Sequence, residues 1–266
     1  MPRSLAAALL VVAAATAGAQ SDRATRFMDN CERNASRDNA RACDTRKTTI
    51  PATKQLSVDG RTNGGITIRG WDRPEIQVLA MIQANAETDA AARDIVNQVS
   101  VSTGGGDIRA EGPDVGRRES WSVSYEIWVP RQTDLKLIAN NGGISIESVT
   151  ARVDAETQNG GLSLTDVQGD VRGRTVNGGI TAALMGDRWV GGGLDLRTSN
   201  GGVRLDIPAN YSANLETGTV NGRVNVDFPV TISGRLDGRQ FNTTLGSGGA
   251  TVRATTTNGG VSIRRR

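Results

Sequence analysis

The chain has 266 residues, no histidine, two cysteines and a formal net charge of +3, from 31 Lys and Arg against 28 Asp and Glu. The lack of histidine excludes imidazole catalysis and the usual imidazole metal ligands, and near-balanced, interspersed charge predicts no nucleic-acid partner. With 33 glycines and only 3% aromatic residues, a wide globular core would be hard to fill, whereas a narrow one lined by Val, Leu, Ile, Ala and Thr suits the inventory.

Residues 1–19 read as a cleaved export signal: Arg3 supplies charge, Leu5 to Ala15 an apolar run, and Ala17-Gly18-Ala19 the small residues a signal peptidase reads. The run is shorter than the roughly 20 apolar residues of a bilayer-spanning helix, and no later stretch is apolar enough, so no membrane span is expected after cleavage. Gln20 follows where a lipid-anchored protein would carry Cys. The expected destination is outside the cytoplasm: the periplasm, the cell surface or the medium. Residues 20–49 are polar and read as a loosely packed N-terminal extension, in which Cys31 and Cys43 are expected to form a local disulfide.

Residues 50–266 read as one β domain. Glu75 to Gln83 alternates as a strand, and Trp121 to Val129 does so again. Between them a helix is expected at about 88–99, with Thr88 as N-cap, Asp89 in the first turn and Ala92, Ile95, Val96 and Val99 on one stripe. A single helix among strands suits a cap over an open end of the core.

A phrase of the form apolar-x-small-x-Thr-x-Asn-Gly-Gly-apolar-x-apolar then recurs from Leu135 onward. Its asparagines are Asn141, Asn159, Asn177, Asn200, Asn221 and Asn258, and subtraction gives steps of 18, 18, 23, 21 and 37. An isolated copy stands at Asn63, and a degenerate one at Ser247-Gly248-Gly249. Two positions before the asparagine stand Thr157, Thr175, Thr198, Thr219 and Thr256, with Ala139 the exception. Alternation on both sides of the turn puts the aliphatics on one face. Identical corners stacked at the roughly 4.8 Å strand spacing would let the asparagine amides bond along the axis, while Asn and Gly enter positive-φ turns cheaply. The expected fold is a parallel β-helix, a solenoid of stacked rungs. The alternative is an antiparallel sandwich or barrel of Asn-Gly hairpins. The short step from Ser247 to Asn258 leaves the C-terminal end open between parallel coil and antiparallel meander. Arg264-Arg265-Arg266 reads as a charged guard on the last strand.

Nothing in the chain assembles a catalytic motif. Gly104-Gly105-Gly106 and Gly191-Gly192-Gly193 lack the Lys-Ser/Thr of a phosphate loop. Asp154, Asp195 and Glu216 share an outward position that Lys136, Arg172 and Arg253 fill in other copies, which predicts cross-rung ion pairs. The pairs Asp166/Asp170 and Asp187/Asp195, with Trp71, Trp121, Trp128 and Trp189, leave a polysaccharide-binding or polysaccharide-processing module as the alternative function.

The repeated Thr-x-Asn-Gly-Gly-Ile/Val-x-Ile/Leu phrase after a signal peptide resembles the bacterial "putative adhesin" family, exported DUF4097-type domains related to the head GIN domains of autotransporter adhesins. The resemblance spans roughly residues 50–266 and implies a right-handed β-helix with no catalytic residue to carry over. The expectation is a non-enzymatic cell-envelope protein without a cofactor, presenting a rigid β surface to an envelope protein or polysaccharide.

Overall fold

The computed structural model describes residues 22–31, 33, 40–227 and 238–266, so the export signal expected over residues 1–19 lies outside the described residues. A helix α1 covers residues 22–31. After it come β1 (Ala40–Pro51), β2 (Gln55–Asp59), β3 (Ile66–Trp71) and β4 (Glu75–Ala86), then α2 (Asp89–Gln98). The middle holds β5 (Ser100–Ser102), a 3-10 turn at Gly104–Gly106, β6 (Asp107–Glu111), β7 (Ser120–Pro130), β8 (Asp134–Ala139), β9 (Ile144–Thr157) and β10 (Leu162–Asn177). The chain ends with β11 (Ile180–Ala183), β12 (Gly193–Asn200), β13 (Val203–Ile207), β14 (Ala213–Asn221), β15 (Val224–Val226), β16 (Gln240–Leu245), β17 (Thr251–Asn258) and β18 (Val261–Arg265).

These strands wind a β-solenoid whose hydrogen bonding falls into two layers. In one, β6, β2, β8, the C-terminal part of β9, the C-terminal part of β10, β12, β17 and β14 run parallel. In the other, β7, β3, the N-terminal parts of β9 and β10, β11, β13, β18 and β15 do the same. β9 and β10 pass through both layers, bending at Ser148 and Asp166, where φ is 58° and 54°. The Ser148 hydroxyl donates to the Asp166 carboxylate at 3.1 Å, tying the two bends together.

Alternation within each strand sends every second residue inward. Register then stacks like on like: Leu135, Val153, Val171, Leu194, Val252 and Leu215 form one column, and Ile66, Ile144, Leu162, Ile180, Val203, Val261 and Val224 another. No rung could bury these side chains alone, yet between neighbours Ile144, Leu162, Ile180 and Val203 are all 2% exposed or less. Each such aliphatic contributes about 1.5–3 kcal/mol relative to exposure.

The rungs do not stack in chain order. β17 pairs with β12 on one side and β14 on the other, and β18 sits likewise between β13 and β15. The last repeat is therefore inserted one place inside the end, and β16 closes that end by pairing antiparallel with β14. Both possibilities left open for this region occur, parallel in β17 and β18, antiparallel in β16. Arg264 and Arg265 pair with Asp206 and Ile207 of β13, while β15 reaches only to Val226 opposite Ile263. Ser247 is not a rung corner. It joins β16 to β17, and its backbone N–H donates to the Ser212 hydroxyl.

At the other end, α2 packs Ala92, Ile95 and Val96 into the same core, with Thr88 capping its first turn by accepting from the Ala91 N–H at 3.2 Å. Arg46 of β1 donates to the Val96 and Val99 carbonyls, satisfying the exposed end of the helix. The boundary expected between residues 49 and 50 falls inside β1, which pairs with β4 over its whole length, from Ala40 opposite Ala86 to Pro51 opposite Glu75. Residues 40–49 are thus sheet and not loose extension, held by antiparallel backbone pairing beside β4, which needs no apolar side-chain pattern of its own.

The disulfide between Cys31 and Cys43 fastens α1 to this strand. Ala24 of the helix rests on a cluster of Trp71, Leu79 and Trp128 on the outside of the sheet. Closing a loop of this length is worth on the order of 3 kcal/mol, but the gain falls on α1 and not on the core. Cys43→Ser is expected to release the helix and shift tryptophan emission to the red, with the main melting transition moving by less than about 1 kcal/mol. Unchanged emission would show that α1 docks without its tether.

Candidate functional site

Seven asparagines that lie up to 195 residues apart in sequence (258 − 63) form one line along the solenoid corner. Asn221 Nδ2 donates to Asn258 Oδ1 at 2.8 Å, Asn258 to Asn200 at 2.8 Å, Asn200 to Asn177 at 2.9 Å and Asn177 to Asn159 at 2.8 Å. Asn159 donates to Asn141 at 2.7 Å and Asn141 to Asn63 at 3.0 Å. All six bonds point the same way, so the amides polarise one another and the line carries a donor end at Asn63.

A second line runs beside it. Thr157 Oγ1 donates to the Gly142 carbonyl and Thr175 to that of Gly160, each at 2.7 Å. Thr198, Thr256 and Thr219 donate at 2.8 Å to the carbonyls of Gly178, Gly201 and Gly259. These hydroxyls are buried, between 3% and 7% exposed, and each meets a corner carbonyl of the next rung. Ala139 stands where the Asn141 rung lacks this bond.

The glycines of the corner are needed for a reason other than the expected one. Among the corner residues only Gly259 has φ in the positive range, at 156°, and no corner asparagine does. The constraint is proximity between rungs. A Cβ on Gly160 would lie 2.1 Å from the Gly142 carbonyl oxygen, and one on Gly142, Gly178, Gly201 or Gly222 would lie 1.9–2.1 Å from the equivalent oxygen of its neighbour. The second glycine has more room: at Gly161 the nearest atom is 3.2 Å away, and the Asn221 corner carries Arg223 there.

On the outward face beside the corner, register lines up Lys136, Asp154, Arg172, Asp195, Arg253 and Glu216. The sign alternates without a break, because the inserted rung puts Arg253 between Asp195 and Glu216. Arg253 pairs with Glu216 across rungs at 2.6 Å, whereas Asp195 pairs with Arg197 of its own strand at 2.8 Å. Asp187 likewise faces its neighbour Arg188, whose guanidinium holds the carboxyl below the usual range. Asp187 and Asp195 thus each face an arginine of their own segment. Among the described residues no three Cys, Asp or Glu side chains converge as a metal ion needs.

Two features escape sequence reasoning because they join distant segments. Glu126 of β7 is 2% exposed and receives a hydrogen bond from Arg69 Nε at 3.0 Å. Arg23 of α1 lies 3.2 Å from its other oxygen, without the alignment of a hydrogen bond, so Arg69 supplies the directional contact. Arg69 also contacts Glu147. The four tryptophans do not gather on one face: Trp71 and Trp128 lie together under α1, Trp189 is buried with its N–H on the Gly169 carbonyl, and Trp121 is half-buried and lines a space with Asn63. Both tyrosines are buried. Burial pushes the Tyr211 phenol up to about 12 and raises that of Tyr125 as well, with Asp59 adding to the latter.

A family model described as Toastrack DUF4097 matches residues 46–264. Among solved structures, a "putative cell adhesion protein" from Clostridium sporogenes is similar at 10% identity, covering 85% of this chain and 100% of the other, with a TM-score of 0.47. A "putative adhesin" from Bacteroides fragilis is similar at 10% identity over 84% and 97%, with a TM-score of 0.32. A "putative lipid binding protein" from Parabacteroides distasonis is similar at 11% identity over 84% and 96%, with a TM-score of 0.33. No curated protein matches the chain in sequence.

Proposed function

Because the chain belongs to the Toastrack DUF4097 family, we propose that it is an exported, non-enzymatic scaffold of the cell envelope that presents a rigid β surface to a protein or polysaccharide partner. The observation that carries this reading is the unbroken amide line. Seven corners locked at 2.7–3.0 Å hold the outward strand faces in fixed register, so binding would require little ordering of the scaffold. The disulfide supports an oxidising compartment, and among the described residues no helix is long and apolar enough to cross a membrane. The pairing of Asp187 and Asp195 with arginines argues against glycan cleavage at those residues.

Protease treatment of intact cells, with and without permeabilisation of the outer layer, tests the placement. Digestion in either case, with Cys31 and Cys43 oxidised, is the expected result, and digestion before permeabilisation assigns the surface. Recovery of the chain from the cytoplasm with free thiols would overturn the reading.

A further inference from the structure

The amide line ends in a cavity. Asn63 accepts from Asn141 and lines the space at this end, and no described residue accepts from its own Nδ2. The next step belongs to the rung of β6 and β7, which pair with β2 and β3. Instead of a short Asn-Gly-Gly corner, this rung makes the longer excursion 112–119 between its strands. A space of about 580 Å³ lies between the excursion and the ladder, lined in part by Arg61, Asn63, Asp114, Glu119, Trp121 and Tyr125.

Tyr125 makes this more than a gap. It is 1% exposed, and its hydroxyl has no hydrogen-bond partner among the described residues. An unsatisfied buried hydroxyl is a penalty that phenylalanine in the same space would avoid, so the group calls for a partner that the described residues do not supply. Trp121 has its N–H committed to the Pro113 carbonyl at 3.0 Å, which leaves the indole to offer apolar surface. Asp114 and Glu119 outnumber Arg61 on the rim, which disfavours an anion.

We propose that this cavity binds a neutral acetamido sugar. The ligand amide takes the place of the missing next asparagine, its carbonyl accepting from Asn63 Nδ2 and its N–H donating to the Tyr125 hydroxyl oxygen, while the pyranose ring lies against Trp121. Amide-to-amide bonding is the interaction already repeated six times along the corner, and an acetamido group reproduces it without adding charge. The site is independent of the scaffold reading and of the compartment.

Calorimetric titration of the full chain with N,N′-diacetylchitobiose, and with cellobiose as the counterpart lacking the amide, tests the proposal. The wild-type chain is expected to bind diacetylchitobiose about tenfold or more tightly than cellobiose, and Asn63→Ala and Tyr125→Phe are each expected to weaken it about tenfold, the effect of one lost hydrogen bond. Tyr125→Phe should melt at or above the wild-type temperature, so its loss of binding cannot be ascribed to unfolding. Absence of saturable heat with diacetylchitobiose at millimolar concentration, equal affinity for cellobiose, or undiminished binding by Tyr125→Phe would each overturn it.

Discussion

Gly160→Ala is expected to destabilise the chain by about 3 kcal/mol or more, whereas Gly161→Ala, one residue on, should cost less than about 1 kcal/mol. The added methyl at Gly160 would stand 2.1 Å from the Gly142 carbonyl oxygen and 2.9 Å from the Gly143 nitrogen. Both are backbone atoms, fixed in turn by the neighbouring rungs, so no rotamer change can relieve the contact. At Gly161 the nearest atom is 3.2 Å away, and a shift of a few tenths of an ångström suffices. For a chain of this size the difference corresponds to a drop of roughly 6–12 °C for Gly160→Ala and a few degrees at most for Gly161→Ala. Thermal unfolding followed by circular dichroism measures both. Equal losses at the two sites would show that backbone conformation, and not the closeness of stacked rungs, sets the need for glycine.

Deleting Thr251–Arg266 should do far more than trim an end. β17 and β18 lie between β12–β13 and β14–β15, so their removal separates the terminal rung from the rest of the solenoid. Val252, Val261 and Ile263, all 1% exposed or less, leave with them, each worth about 1.5–3 kcal/mol. Leu194, Leu196, Val203 and Leu205 are then uncovered along a new parallel edge. The truncated chain is expected to lose protease protection over β14 to β16 and to aggregate through that edge, and a peptide of residues 251–266 added in trans should restore protection. A truncated chain that keeps β14–β16 protected and melts cooperatively would show that the last repeat is an ordinary terminal rung.

Both predictions rest on stacking, and the two levels of stacking differ in how far they could be read from the chain. The inward residues were legible because side-chain direction in a strand alternates with sequence parity, whatever the strand pairs with. Ile144 and Ile146, or Val203 and Leu205, announce their face locally. The corner asparagines and threonines were legible as a recurring phrase, but the need for glycine was not, since the backbone it approaches belongs to a different rung and not to the adjoining residue. The α2 cap was legible from Thr88 and its apolar stripe. By contrast, residues 40–49 looked unstructured because a strand held by its backbone to β4 requires no apolar pattern of its own. Glu126 with Arg69 and Arg23, and Tyr125 lining one cavity with Asn63, were invisible because each constellation joins segments that share no local signal.

The sequence by itself determined that this chain is made of small interchangeable rungs, which residues of each rung point inward, and where the corners lie, because these follow from covalent alternation and turn chemistry within a dozen residues. Which rung rests on which was decided only by the tertiary structure. The phrases at Asn221 and Asn258 present nearly the same edge, so either could have followed Asn200 by shape alone. In chain order Asp195 would face Glu216 on the outward column, like charge against like, and insertion of the last repeat places Arg253 between them.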